Sequence, residues 1–198
     1  MILKVVDFIL DRQLENGMIS GEDTSVYRYG YTLVLEVMIN IIIAIMIGLI
    51  SGELVSVLLF MVMFIPLRSY CGGYHASKTW ICIILSNIAV AGVVLVVKKF
   101  QFAVDYIPLL TAEVIGTAVI LLLAPIQSEA KKLSDNEKQV YKKYVRFILI
   151  IELVFALIFF LIFKLNKYGL IIIMVHIIQA VSLLAVHLKE SRTGAAEV

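Results

Sequence analysis

Long apolar blocks alternate with short polar segments along most of the chain. Six of these blocks have about the length of a membrane-crossing helix: residues 31–50, 53–67, 80–97, 105–125, 145–163 and 168–187. Twenty helical residues cover roughly 30 Å, the thickness of the hydrocarbon layer of a bilayer. The pattern therefore predicts an all-α, polytopic membrane protein with about six transmembrane helices, in a membrane domain over residues 31–188.

The segment before these blocks, residues 1–30, has a different pattern. Between residues 2 and 15, charged side chains recur every three or four positions, and apolar side chains occupy the opposite side. This periodicity predicts an N-terminal amphipathic helix that lies at the membrane interface without crossing it. Ser20 and Asp23 resemble a capping box, so a second short helix is predicted to begin there.

Composition and charge agree with a membrane protein. The chain is 62% hydrophobic with a mean hydropathy of +1.01, whereas a soluble domain is about half apolar. A net charge of +2 is too small to indicate a nucleic-acid partner. If the N-terminus is cytoplasmic, thirteen of the 17 Lys and Arg residues fall on the cytoplasmic side. The positive-inside rule therefore predicts a multi-pass cell-membrane protein with both termini, including the tail 189–198, in the cytoplasm.

The polar segment 68–82, between the second and third blocks, holds the candidate chemistry. Arg68, His75 and Cys82 stand seven residues apart there. A cysteine thiolate can attack an acyl carbon, and a nearby imidazole can accept the thiol proton and pass it to a leaving amine. On a continuous helix, however, seven residues rise about 10.5 Å, which is too far for a hydrogen bond between His75 and Cys82.

The segment must therefore bend, and its sequence offers the means. Gly72-Gly73 can adopt backbone conformations that other residues avoid, and Thr79 can act as the N-cap of a new helix. Cys82 would then lie in the first turn of that helix, where the helix dipole favours an anion. We predict a loop that folds His75 back onto Cys82 at the cytoplasmic face.

Two questions stay open at this level. Arg68 could orient the histidine, hold an oxyanion or bind a carboxylate. Cys71 is closer in sequence to His75, whereas Cys82 has the position at the helix start, and a single cysteine in an apolar helix is most often a packing residue.

The run Arg68…Gly72-Gly73-Tyr74-His75-Ala76…Cys82 resembles the motif of the accessory gene regulator B (AgrB) family of membrane peptide-processing cysteine proteases. The stretch 124–126 before the lysine-bearing loop and the acidic Glu36 in the first span also resemble this family, and the resemblance covers nearly the whole chain. It implies that Cys82 is the nucleophile and His75 the base, with supporting roles for Arg68, Gly72, Gly73 and Glu36. Cys71 has no role in the family pattern.

The resemblance also implies a reaction and its partners. Such a protein cuts a short quorum-sensing propeptide on its C-terminal side, holds the peptide as a thioester and releases it as a cyclic thiolactone or lactone. The expected substrate has an amphipathic N-terminal part and an acidic C-terminal part. A homodimer is expected, and no cofactor or metal.

Lysines are concentrated in the predicted cytoplasmic loop 127–146. Lys131, Lys132, Lys142 and Lys143 fit the positive-inside rule and an attraction to anionic lipid. They also fit a docking site for the acidic tail of the expected substrate. The sequence leaves both interpretations open.

A few polar residues lie within the predicted spans and are functional candidates by default. Glu36 is at a depth where it could meet Arg68, and Glu152 is close enough to the inner end to reach the interface. His176 and Gln179 lie one turn apart in the sixth span and are predicted to form hydrogen bonds with other helices, not to bind metal.

A second functional hypothesis needs no catalytic residue. The length and the six predicted spans are also similar to a six-span substrate-binding subunit of a vitamin transporter. That hypothesis predicts tight binding of a small soluble ligand and no loss of function when Cys82 is removed. A phosphatidyltransferase is disfavoured because the spans hold no cluster of spaced aspartates for a divalent metal.

Overall fold

The computed structural model describes residues 2–21, 23–73, 79–99, 106–126, 134–162 and 166–194. These residues form helices joined by short connections, and the described part contains no strand. The helices are α1 (Ile2–Glu15), α2 (Thr24–Ser51), α3 (Leu54–Cys71), α4 (Thr79–Lys99), α5 (Tyr106–Leu123), α6 (Asp135–Leu157, extended by a π-helical turn Ile158–Ile162) and α7 (Asn166–Gly194). The predicted all-α class is confirmed.

The membrane character of these helices is also confirmed. Five of the described helices are long and apolar enough to cross a bilayer, and a sixth apolar helix, Ile107–Leu123, is shorter. Its 17 residues still rise about 26 Å, close to the hydrocarbon thickness. The six apolar helices correspond one by one to the six predicted spans.

The N-terminal region differs from its prediction in one respect. The amphipathic helix α1 has the predicted bounds, but residues 24–51 form one 28-residue helix, so the separate short helix predicted after Ser20 is wrong. The Ser20 hydroxyl does bond the Asp23 carboxylate at 2.8 Å. The helix then continues into the span, where its first turns pack against α1 through an Arg28–Asp7 ion pair at 2.9 Å.

Helix α3 is longer than predicted. It continues past Pro66 and ends at Cys71, so Arg68 lies on the helix and not in a polar segment after it. A proline removes a single N–H donor, and membrane helices tolerate that loss. Gly72 stops the helix after Cys71, because its φ of 70° is incompatible with a right-handed helix. The predicted break at the glycine pair is therefore confirmed.

The ends of the helices meet at two opposite faces of the bundle. At the first face, which we call the N-terminal face, the end of α3 meets the chain just after α5 and the first half of α6. At the far face, Glu53 in the α2–α3 turn forms an ion pair with Lys167 at the start of α7, at 2.6 Å. The candidate segment 68–82 therefore begins and ends at the N-terminal face.

Helix α7 is the centre of the bundle. It contacts α3, α4, α5 and α6. In an apolar 18-residue stretch of α7, 56% of the residues are buried, against 11% in the corresponding stretch of α2. Its buried residues join α3 side chains such as Phe60 and Leu67 in one apolar core. The outer helices leave many large apolar side chains exposed, as expected for surfaces that face lipid.

Candidate functional site

The glycine pair after α3 is held by side chains from two helices. Arg68 Nη1 donates hydrogen bonds to the carbonyl oxygen of Gly72 at 3.2 Å and to Ser182 Oγ of α7 at 2.5 Å. Gln179 Nε2, also on α7, donates to the same Gly72 carbonyl at 2.8 Å. Hydrogen bonds from α3 and from α7 therefore fix the predicted bend. The next residue, Gly73, has a φ of 143°.

Only glycine fits at these two positions. A Cβ on Gly73 would overlap the Arg68 guanidinium and would lie 2.7 Å from Ser182 Oγ. A Cβ on Gly72 would overlap the carbonyl oxygen of Ile126. The main-chain N–H of Ile126 in turn donates to the carbonyl of Cys71 at 3.0 Å. The chain after α5 is thus packed directly against the bend.

The two cysteines occupy different environments. Cys82 is the fourth residue of α4 and is half-buried, so its predicted place in a first turn is confirmed. The predicted N-cap, Thr79, is instead the first helical residue. Cys71 is completely buried in the apolar core. The Arg68 guanidinium lies within electrostatic range of both sulfur atoms.

Several predicted residues lie outside the described residues. His75 falls in the segment 74–78, and Lys131 and Lys132 fall in the segment 127–133. The predicted approach of His75 to Cys82 therefore stays a prediction. Glu36 lies among the described residues and is half-buried in α2. Glu36 on α2 and Arg68 on α3 are each about 15 residues from the α2–α3 turn. The two side chains lie at similar depths, and their pairing stays a prediction.

The comparison with protein families decides the assignment. The family model described as Accessory gene regulator B matches residues 4–183. The chain belongs to the accessory gene regulator B (AgrB) family. No curated protein and no solved structure matches the sequence significantly. Membership confirms the predicted resemblance to this family and supports a role in the processing of quorum-sensing propeptides. The same match disfavours the transporter hypothesis.

A basic pocket lies on the first half of α6 in this AgrB-family protein, at the same end of the bundle as the bend. Its volume is about 310 Å³, and it is lined by Gln139, Lys142, Lys143 and Arg146 at the start of α6. On the opposite side of α6, the Tyr144 ring stacks on the Tyr70 ring of α3, with 4.8 Å between centroids. Because Tyr70 is two residues before Gly72, the pocket and the bend share the N-terminal face.

A buried ionisable cluster joins the last three helices of the AgrB-family bundle. His176 of α7 lies with Nδ1 2.5 Å from Glu113 Oε1 of α5 and with Nε2 2.8 Å from Glu152 Oε2 of α6. All three side chains are buried. The prediction that His176 and Gln179 bond to other helices is confirmed. The prediction that Glu152 reaches the interface is wrong, because it turns inward to the imidazole.

Sequence reasoning missed Ser182. In the sixth span, polar residues recur every third position at His176, Gln179 and Ser182, and this stripe is a signal that could have identified it. The hydrogen-bond partners of these three residues could not be predicted from the sequence. They lie on α3, α5 and α6, more than twenty residues away in the chain.

Proposed function

We propose that this AgrB-family protein is a membrane-embedded cysteine endopeptidase that cleaves an autoinducer propeptide on its C-terminal side, with Cys82 as nucleophile. One observation carries this choice. Cys82 is the more accessible cysteine and lies at a helix start, whereas Cys71 is completely buried. A nucleophile must reach a peptide carbonyl, and a fully buried sulfur cannot do so without unfolding its surroundings.

The first chemical step forms a thioester. His75 accepts the Cys82 thiol proton, and the sulfur attacks the carbonyl carbon of the scissile peptide bond. The C–N bond then breaks, and the imidazolium returns the proton to the leaving amine. The positive end of the α4 dipole and the Arg68 guanidinium both favour the negative charge that develops near the sulfur.

The second step transfers the acyl group within the peptide. An internal Cys thiol or Ser hydroxyl of the propeptide attacks the thioester carbonyl, the C–S bond breaks, and Cys82 regains its proton. The product is a thiolactone or a lactone. Proximity favours this intramolecular attack over hydrolysis. Because a thioester is less stable than the amide it replaces, removal of the released fragments must draw the reaction forward.

The basic pocket is proposed to bind the acidic C-terminal part of the propeptide. Lys142, Lys143 and Arg146 provide positive charge on the N-terminal face, where the candidate segment begins and ends. Lys131 and Lys132 add charge in the connecting segment that begins after Ile126. Tail binding there brings the preceding peptide bond toward Cys82. The N-terminal face is proposed to be cytoplasmic, and a homodimer remains part of the proposal.

The deciding experiment compares the two cysteines in membranes that contain the propeptide. We expect Cys82→Ala and His75→Ala to abolish processing, whereas Cys71→Ala retains it. In the unmodified protein, mass spectrometry of acid-quenched samples should find the N-terminal part of the propeptide attached to Cys82. Processing by a well-expressed Cys82→Ala variant would refute the proposed mechanism.

A further inference from the structure

Two side chains of α7 reach across the bundle to the bend within the candidate segment 68–82. Gln179 donates to the Gly72 carbonyl, and Ser182 accepts from Arg68. Both lie more than 100 residues from their partners in sequence. We propose that Gln179 and Ser182 are positioning residues for the peptidase reaction. They fix the direction in which the chain leaves α3, and so act through the bend on His75 and Cys82.

The Gly72 carbonyl is the point through which this control operates. It accepts one hydrogen bond from Gln179 and one from Arg68. Two donors from different helices fix the orientation of the peptide plane between Gly72 and Gly73. A glycine pair has wide backbone freedom, so that without such bonds the chain could leave α3 in several directions. Because Tyr74 and His75 follow immediately, the direction set at Gly73 governs where the imidazole can lie.

The burial of Gln179 argues for a specific role. The residue has no exposed surface, and its Oε1 has no hydrogen-bond partner in the part of the chain that the structure describes. A buried unsatisfied amide oxygen destabilises the fold. An apolar side chain of the same size would avoid that cost, so packing alone does not account for glutamine. The bond from Nε2 to the Gly72 carbonyl does account for it.

Ser182 acts on the Arg68 side chain, which also bonds the Gly72 carbonyl. Its hydroxyl accepts from the same Arg68 nitrogen that bonds Gly72, so it fixes the guanidinium against the carbonyl. The guanidinium is thereby held within electrostatic range of Cys82. Without the hydroxyl, Arg68 loses one of its hydrogen bonds and keeps the bond to the Gly72 carbonyl, so that the guanidinium is held less firmly near the sulfur.

Helix α7 is a suitable base for such positioning. One turn before Gln179, His176 bonds carboxylates of α5 and α6. These bonds fix both the rotation and the depth of α7 in the bundle. His176, Gln179 and Ser182 thus form a continuous row of about 9 Å from the buried cluster to the bend. This inference rests on the proposed function, because positioning has meaning only if the segment 68–82 is catalytic.

The test uses substitutions that remove a single hydrogen-bonding group. Gln179→Met keeps the length and volume but lacks the N–H donor, and Ser182→Ala lacks the hydroxyl. We expect each to lower kcat for propeptide cleavage about tenfold or more, with KM little changed, because misplacement of a catalytic group reduces the chemical step. Ser182→Thr keeps the oxygen and should restore most of the rate. Ser191→Ala, an exposed position on the same helix, serves as the matched control and should behave as wild type.

A second readout does not depend on the propeptide. In a Cys71→Ala background, alkylation of Cys82 is measured near neutral pH and at strongly alkaline pH. Gln179→Met should slow the reaction near neutral pH, where His75 assists the thiol, more than at alkaline pH. The inference would be overturned if both variants had the wild-type kcat and the wild-type ratio of alkylation rates at neutral and alkaline pH. It would also be overturned if Ser182→Thr failed to restore the kcat that Ser182→Ala loses. Processing by Cys82→Ala would instead overturn the proposed function itself, so the two failures are distinguishable.

Discussion

The main-chain N–H of Ile126 donates a 3.0 Å hydrogen bond to the carbonyl oxygen of Cys71. This bond joins the last residue of α3 to the stretch that leads into the basic loop. The Ile126 carbonyl oxygen in turn occupies the space that a side chain on Gly72 would need. The bend beside the candidate nucleophile and the start of the candidate substrate-binding loop are therefore one packed unit.

Substitution Gly72→Ala should disrupt this unit. The new methyl group would overlap the Ile126 carbonyl at a backbone φ of 70°, so the bend and the loop must move apart. We expect propeptide cleavage to fall about a hundredfold, because an ångström-scale displacement of catalytic groups has effects of that size. The measurement is the rate of propeptide cleavage in membranes that hold equal amounts of each variant.

Gly52→Ala is the matched control for this prediction. Gly52 has nearly the same φ, 71°, but a Cβ there meets no atom within 4 Å. Gly52→Ala carries the left-handed backbone penalty of about 1 kcal/mol at a ψ of 14°. Gly72→Ala combines a ψ of −157°, a region that only glycine adopts readily, with the steric conflict at Ile126. Equal loss of cleavage in the two variants would show that a positive φ alone, not the contact with Ile126, is responsible.

The buried cluster predicts a strong dependence of stability on Glu152. Glu152→Ala leaves one nitrogen of the buried His176 ring without its carboxylate, and we expect roughly 3 kcal/mol of destabilisation. Glu152→Gln retains a hydrogen-bonding group and should cost less. Unfolding in detergent micelles measures both, with the exposed Glu15→Ala as control. A wild-type melting temperature for Glu152→Ala would mean that the cluster does not hold the helices together.

The far face predicts an acid-sensitive contribution from Glu53. Burial alone would raise the pKa of this carboxyl, but hydrogen bonds from Lys167 and Ser56 outweigh it, and the pKa lies below the ordinary 4.5. The ion pair therefore stabilises the fold fully above pH 4.5 and is lost as the pH falls through the lower folded-state pKa. We expect the stability difference between wild type and Glu53→Gln, about 2 kcal/mol near neutrality, to shrink in acid. A difference that is constant with pH would contradict the assignment.

The basic pocket predicts a charge-dependent KM. Reversal of two charges by Lys142→Glu with Lys143→Glu should raise KM for the propeptide about tenfold with kcat unchanged, equivalent to about 1.4 kcal/mol. Added salt should reduce the effect, because exposed charges are screened. Lys4→Glu, an exposed lysine on α1, is the control. If a propeptide with a neutralised tail is equally sensitive to the reversal, the pocket does not bind that tail.

Local sequence features determined most of the helices of this protein and several of their ends. Hydropathy and block length were sufficient for the apolar helices, and three- and four-residue periodicity was sufficient for α1. The glycine pair predicted the end of α3, because a left-handed backbone conformation is a property of the residue itself. The start of α4, with Cys82 in its first turn, was also predicted to within one residue. These features depend on neighbours along the chain.

Only the tertiary structure decided which polar groups meet. Cys71 and Cys82 both lie in the polar segment 68–82 of the sequence, and packing alone buries the first and leaves the second half-buried. Glu152 appeared close enough to the interface to reach it, yet it turns inward to His176. The contact of Ser182 with Arg68 spans 114 residues. Hydropathy predicts that a segment crosses the membrane but not which of its sides faces which helix, and that choice depends on how all the helices pack together.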